Sequence, residues 1–223
     1  MSADGRIKAV ISDFGGVLTN HLIEAFAAFQ DETGISPEQL NRAMHRIAER
    51  DGEYPLFRLE KGEVSEPQFL EDLSWALEDE LGHRPHLQRF REIYFAALHA
   101  NEPMIDVMRA ARDRGYKMAI LTNNVREWEE VWRAKLPVDE IFELVVDSAW
   151  VGLRKPDPKI YELTMERLGG LAPEEHLFVD DNDLNIKAAR ELGLHAVHFR
   201  SNEQAIPEIE AALGLNPQAE TEG

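Results

Sequence analysis

Apolar positions along the chain follow two different periods, and the switches between them outline the architecture. Ile7 to Ser12 reads Ile-Lys-Ala-Val-Ile-Ser, short and rich in β-branched residues, and the breaker Asp-Phe-Gly-Gly follows it. That pattern predicts a buried strand ending at Asp13. From about His21 to Ala100 the spacing becomes helical. Leu22, Phe26 and Phe29 share one face, Leu40, Met44 and Ile47 another, and Phe69, Leu70, Leu73 and Leu77 a third. Ser36-Pro37 and Ser65-Glu66-Pro67 carry the N-cap and early-Pro signals of helix starts. A further helix is expected from near His86 to Leu98. No strand signal interrupts this stretch, which reads as one helical module.

Strand and helix alternate after Pro103. A helix bearing Ile105, Val107, Met108 and Ala111 should end at Gly115. Met118 to Leu121 predicts a strand that stops at Thr122-Asn123-Asn124, and a helix around Glu127 to Ala134 follows. Leu144-Val145-Val146 predicts another strand, Pro158 to Leu168 a helix closed by Gly169-Gly170, and His176 to Val179 a strand ending at Asp180-Asp181. Leu184 to Leu192 predicts a helix closed by Gly193, and His195 to Phe199 a last strand. The expectation is an α/β fold, a parallel sheet with helices on both faces, interrupted by the helical module. Ligands of such sheets bind outside the carboxyl ends of the strands. Asp13, Thr122 and Asp180-Asp181 each follow a predicted strand, so they can converge although far apart in sequence.

Composition narrows the chemistry. The 223 residues are enough to bury a core without a disulfide or structural metal. Cysteine is absent, which excludes thiolate catalysis and Cys-ligated zinc. The net charge of -18 disfavours nucleic acid and anionic membrane as partners. A phosphate substrate would therefore need a locally built cationic pocket. Met-Ser-Ala-Asp-Gly-Arg lacks the basic start and apolar stretch of a signal peptide, and no apolar run approaches the roughly 20 residues that span a bilayer. A cytoplasmic protein is the expectation. No heptad seam or other interface pattern specifies an oligomeric state.

Four elements carry the candidate chemistry: Asp13, Thr122-Asn123, Lys155 within Arg154-Lys155-Pro156-Asp157-Pro158, and Asp180-Asp181 within Val179-Asp180-Asp181-Asn182-Asp183. Phosphoryl transfer through an aspartyl-phosphate needs this set. A carboxylate attacks phosphorus. A divalent cation held by oxygen ligands, a hydroxyl, backbone N–H groups and an ammonium neutralise the charge that gathers there.

In order and placement these elements resemble the four motifs of the haloacid dehalogenase-like superfamily, over nearly the whole chain. Asp13-Phe14-Gly15-Gly16-Val17-Leu18-Thr19 resembles the first motif, Ile120-Leu121-Thr122-Asn123 the second, Lys155-Pro156-Asp157-Pro158-Lys159-Ile160-Tyr161 the third with its following helix, and Phe178-Val179-Asp180-Asp181-Asn182-Asp183-Leu184-Asn185 the fourth. The branch most resembled holds the N-terminal phosphatase domain of soluble epoxide hydrolase and bacterial sugar-phosphate phosphatases. The resemblance implies a Rossmann-like catalytic core from residues 1–20 and 101–215, an all-helical cap at 21–100 and a flexible tail at 216–223. It implies a Mg2+-dependent phosphatase acting on a small phosphorylated molecule. Asp13 would be the nucleophile and a metal ligand, with the Gly15 carbonyl and Asp181 as further ligands and Asp180 at or beside the metal. Thr122 and Asn123 would hold phosphate, and Lys155 would orient both Asp13 and phosphate.

One position departs from the family. A second Asp, the general acid and base, usually stands two residues after the nucleophile, and here that residue is Gly15. Losing such a group costs roughly 100- to 10,000-fold, so the departure points to a reactive phosphate or a slow enzyme. It also keeps open a metal-independent 2-haloacid dehalogenase, which the Asp180-Asp181 pair argues against. A catalytically weak or vestigial binding protein is open too, and retention of Asp13, Lys155 and Asp181 argues against it. Among the remaining residues, Asp183 reads as an N-cap, Trp128 and Trp132 as a packing face, and Glu127, Glu129 and Glu130 as a solvated helical face. Arg154 fits either the phosphate site or solvent. His45, Arg42, Arg46, Arg50 and Arg58 could reach a substrate from the helical module.

Overall fold

Successive residues of a strand point to opposite faces, and that period sorts this core into two layers. The computed structural model describes residues 7–215, so the tail expected at 216–223 lies outside the described residues. Five parallel strands form one sheet: β1 (Ala9–Ser12), β2 (Lys117–Thr122), β3 (Leu144–Asp147), β4 (His176–Asp180) and β5 (His195–His198), in the order β3-β2-β1-β4-β5. Val10, Met118, Ile120, Leu177, Val179 and Val197 pack on one side. Ala9, Ile11, Ala119, Leu121, Val146 and Phe178 pack on the other. Both faces are covered, which is why the strands are apolar throughout rather than alternating with polar residues.

The helices, in chain order, are α1 (Leu22–Thr33), α2 (Pro37–Asp51), α3 (Pro55–Glu60), α4 (Glu66–Leu81), α5 (Phe90–Ala97), α6 (Glu102–Asp113), α7 (Glu129–Arg133), α8 (Val138–Ile141), α9 (Ser148–Val151), α10 (Pro158–Arg167), α11 (Asp183–Glu191) and α12 (Asn202–Leu213). α6 and α12 cover one face of the sheet, α10 and α11 the other. Every described helix or strand between residues 22 and 97 is helical. α2 shows how the sequence sets these elements. The Gln39 N–H donates to Ser36 Oγ at 3.3 Å, the Ser36 N–H donates to Gln39 Oε1 at 2.8 Å, and Pro37 fills the first turn, where no N–H is needed.

The chain leaves the sheet side and returns to it at one place. Thr19 and Ala100 form an antiparallel bridge, flanked by Asn20 N–H to His99 O at 3.0 Å and Asn101 N–H to Leu18 O at 2.9 Å. The Asn20 side chain donates to Ala97 O and accepts from the His99 N–H.

Several boundaries differ from the sequence expectation. α5 begins at Phe90 rather than near His86, because Leu87 is buried as an anchor and its carbonyl accepts the Phe90 N–H, making a turn there. The helix expected at Glu127 to Ala134 is a 3-10 turn (Arg126–Trp128) followed by the short α7. Asn182, not Asp183, caps α11: its Oδ1 accepts the Leu184 N–H at 2.9 Å, and Asp183 is the first helical residue. Glu127 is not simply a solvated face residue, since its carboxylate accepts the Glu66 N–H at the start of α4. Among the described residues, no helix is long and apolar enough to cross a membrane.

Candidate active site

The site is built where β1, β2 and β4 end. The Asp13 N–H donates to Val179 O at 2.8 Å, extending the sheet pairing one residue beyond β1. Its side chain therefore emerges at the carboxyl edge. Asp13 Oδ1 accepts the Phe14 N–H at 2.7 Å and pairs with Lys155 Nζ at 2.8 Å. Lys155 is 1% exposed and also meets Asp180 Oδ2 at 2.7 Å.

Each member of this ladder is held from behind. Asp180 is fully buried; Asn185 Nδ2 donates to both its oxygens at 3.0 and 3.1 Å, and the Asn182 N–H donates to Oδ1 at 2.8 Å. With Lys155 added, both Asp180 oxygens are engaged inside the protein. Lys155 is aimed by Asn123, whose amide accepts the Lys155 N–H at 2.8 Å and donates to the Lys155 carbonyl at 3.0 Å. The Asn123 side chain is thereby committed to the lysine backbone. Thr122, 2% exposed at the end of β2, lines the cavity with no side-chain hydrogen bond among the described residues.

Asp13, Asp180 and Asp181 bring one carboxylate oxygen each to within 4.8 Å of one another. Asp181 lies against the Gly15-Gly16 turn. Gly16 has φ +82°, and a Cβ there would collide with Asp181 Oδ2, so the turn needs glycine on both counts. Burial pushes the Asp13 carboxyl up to about 7; Lys155 opposes that rise and Asp180 and Asp181 add to it. Burial also raises Asp181, with Asp180 contributing. For Lys155, burial works against the charge, but the Asp13 and Asp180 carboxylates outweigh it and hold the ammonium above its ordinary value. The ladder thus carries a surplus of negative charge that a cation would relieve.

A cavity of about 370 Å3 separates this edge from α1–α5. Arg154 reaches it, donating to Glu60 Oε2 of α3 at 2.7 Å and stacking 3.9 Å from the centre of the Phe57 ring. Burial raises the Glu60 carboxyl, and Arg154 opposes it. Trp132 is fully buried, as a packing residue should be, whereas Trp128 also lines the cavity and donates its indole N–H to Glu66 Oε1 at 2.8 Å. His45, Arg42, Arg46, Arg50 and Arg58 do not line it. Gly15 faces Leu22, whose Cδ atoms would lie 3.2 and 3.3 Å from a Cβ at that position. Sequence reasoning missed Asn124 and Glu60, and it carried Asn185 within the fourth motif without giving it a role. Asn124 directly follows Thr122-Asn123 and was within reach of that motif. Glu60 sits on a helix of six residues, too short to show a period.

A parallel sheet carrying a buried Asp-Lys-Asp ladder beside an acidic cluster at its carboxyl edge defines a hydrolase site of one class. Residues 7–193 match the model of that class, described as hydrolase, haloacid dehalogenase-like hydrolase, and the chain belongs to this family. It is 30% identical over 215 residues to acyl-CoA dehydrogenase family member 10 of Mus musculus, covering 93% of this chain and 19% of that protein. It is 28% identical over 224 residues to bifunctional epoxide hydrolase 2 of Sus scrofa, covering 94% and 39%. The chain thus spans well under half the length of these two relatives. Glyceraldehyde 3-phosphate phosphatase of Methanopyrus kandleri is 27% identical over 212 residues, covering 87% and 84%. In fold, the chain is similar to a haloacid dehalogenase family enzyme of Bacteroides thetaiotaomicron solved with magnesium and inorganic phosphate, with TM-score 0.65, 23% identity and coverage of 89% and 96%.

Proposed function

We propose that this hydrolase is a Mg2+-dependent phosphatase that acts on a small phosphorylated metabolite through an aspartyl-phosphate on Asp13. The observation that carries the reading is the Asp13–Lys155–Asp180 ladder with Asp181 beside it, at the mouth of a cavity. The donor set fits Mg2+: carboxylate oxygens, with no His or Cys in the cluster. Asp13, Asp181 and the Gly15 carbonyl would hold the ion. Asp180 would stand beside it, since its oxygens already serve Lys155, Asn182 and Asn185. When bound, Mg2+ supplies neutralisation of phosphate charge.

The chain's own residues supply the rest. Phe14 N–H and Lys155 fix one Asp13 oxygen and leave the other to attack phosphorus. The Thr122 hydroxyl and the Asn123 N–H hold phosphoryl oxygens, and Lys155 compensates their charge. Residues 21–100 act as a cap that excludes water from the reacting group. The acidic cluster counts against a metal-independent dehalogenase, and a buried ladder in which Asn123, Asn182 and Asn185 support Lys155 and Asp180 counts against a vestigial site. Hydrolysis of p-nitrophenyl phosphate and acetyl phosphate, in Mg2+ and then in EDTA, tests the reading. Turnover should require Mg2+ and vanish in Asp13→Asn. Folded, Mg2+-loaded protein that turns over neither compound would reject it, and 2-chloropropionate would then be the next substrate.

A further inference from the structure

The cavity has two chemically distinct ends. Its polar groups gather at the sheet edge, where Asp13, Thr122, Asn124, Lys155 and Asp181 stand. The rest of the lining is mainly apolar and aromatic, apart from the paired Glu60 and Arg154. Phe26 meets Tyr94 edge-on at 5.9 Å, Phe90 stacks with Trp128 at 6.2 Å, and Trp128 lies 5.2 Å from Tyr94. Leu22 and Met44 complete this wall. From residues 21–100, only Glu60 and the Tyr94 phenol bring polar side-chain groups to the cavity, and Glu60 is paired with Arg154. The arginines of that segment are engaged elsewhere: Arg42 and Arg46 with Glu80, Arg50 and Arg58 with Asp51, Arg84 with Glu71, Arg89 with Glu32, and Arg91 with Glu66.

A sugar entering this end would strip water from several hydroxyls and meet one phenol and the Glu60–Arg154 pair, whose groups already bond each other. Each hydroxyl left unpaired costs roughly 5- to 150-fold in binding. An apolar ring meets matching surface instead. A second observation concerns the leaving oxygen. Gly15 brings no side chain to the space beside Asp13, and Leu22 stands against it, so this position supplies no acid for the departing group.

Resting on the phosphatase reading, we infer that the substrate is an aromatic acyl or aryl phosphate, its ring against the Phe26–Phe90–Tyr94–Trp128 wall and its phosphoryl group at Asp13. An Asp13 oxygen bonds to phosphorus as the bond to the leaving oxygen breaks. That oxygen keeps the electron pair and departs as a carboxylate or phenolate, with no proton required. Water then attacks phosphorus, the aspartyl oxygen–phosphorus bond breaks, Asp13 regains its carboxylate, and the proton of the water passes to the released phosphate.

Benzoyl phosphate and acetyl phosphate share one leaving-group chemistry and differ by a ring against a methyl. Their kcat/KM values in Mg2+ test the inference. Benzoyl phosphate should be favoured at least tenfold, mainly through KM, and glyceraldehyde 3-phosphate should trail it by at least 100-fold. Met44→Gln should shrink the benzoyl-to-acetyl ratio. Equal values for the two acyl phosphates, or a preference for the sugar phosphate, would overturn the inference and leave the phosphatase reading standing. No Mg2+-dependent turnover of any of them would overturn the phosphatase reading itself. Calorimetry with benzylphosphonate and methylphosphonate then examines the cavity alone, and equal or undetectable binding of the two would overturn the aromatic assignment.

Discussion

Replacing Lys155 by Met removes one charge from the middle of the ladder and keeps most of its volume. Two buried carboxylates then lose a common partner, at 2.8 and 2.7 Å. Breaking a buried ion pair on one side costs about 3–5 kcal/mol. Two features move this case to the lower end. Asp180 keeps the Asn182 N–H and Asn185 Nδ2, and Asp13 keeps the Phe14 N–H. Asp13 is already raised to about 7 by burial, so without Lys155 it takes up a proton near neutral pH and limits the loss. The expected loss of about 3 kcal/mol at pH 8 lowers Tm by about 6–12 °C for a chain of this size. The loss should be smaller at pH 5.5, where Asp13 is protonated with or without Lys155. Thermal unfolding followed by circular dichroism, in EDTA at both pH values, measures it. Adding Asp180→Asn to Lys155→Met should recover part of the loss, because it removes the stranded charge. A Tm change under about 2 °C at pH 8, or a larger loss at pH 5.5 than at pH 8, would refute the charge ladder as the source of the effect.

Three further outcomes follow from particular contacts. Gly15→Asp alone must push Leu22 aside, whereas Gly15→Asp with Leu22→Ala makes room, so the double variant should raise turnover of alkyl phosphates by roughly 100-fold or more; no gain in steady-state kinetics, with the fold intact, would count against the missing-acid account. Gly16→Ala puts a Cβ into Asp181 at a positive φ, and should cost at least about 1 kcal/mol in urea unfolding and weaken Mg2+ binding measured by calorimetry. Burial raises Asp147 from 3.8 to about 6, so the native state binds more protons than the unfolded chain between those values. Stability must therefore fall as pH rises through that window, and Asp147→Asn should flatten this part of the stability–pH curve.

The sheet and its order of elements were legible because both rest on local pattern. Short β-branched runs ended by Asp, Asn or Gly gave strands within one or two residues of those observed, as at Ala9–Ser12 and His176–Asp180. The residues that the family motifs single out, Asp13, Thr122 and Asp180, stand at the ends of β1, β2 and β4. What stayed hidden depends on contacts across long separations. That Asn123 would grip the Lys155 backbone, 32 residues away, leaves no trace in either segment. Asn185 falls within the fourth motif, but its part shows only when Asp180 is seen buried beneath it. The last helix, Asn202–Leu213, was obscured by Pro207 within it. Arginines between residues 21 and 100 looked like candidates for substrate contact, but a neighbouring carboxylate absorbs each of them. In a chain of -18 net charge acidic partners are always close at hand.

The bridge between Thr19 and Ala100 has an evolutionary consequence. All of α1–α5 departs and returns through neighbouring residues, so from the standpoint of the sheet the whole helical segment is one long loop. Its length and content can vary while the two ends stay paired, and the Asp13–Lys155–Asp180 ladder keeps its shape. Selection can therefore exchange most of the cavity wall, Trp128 aside, without rebuilding the ladder. Relatives that share the same edge chemistry can differ widely in the molecules they admit.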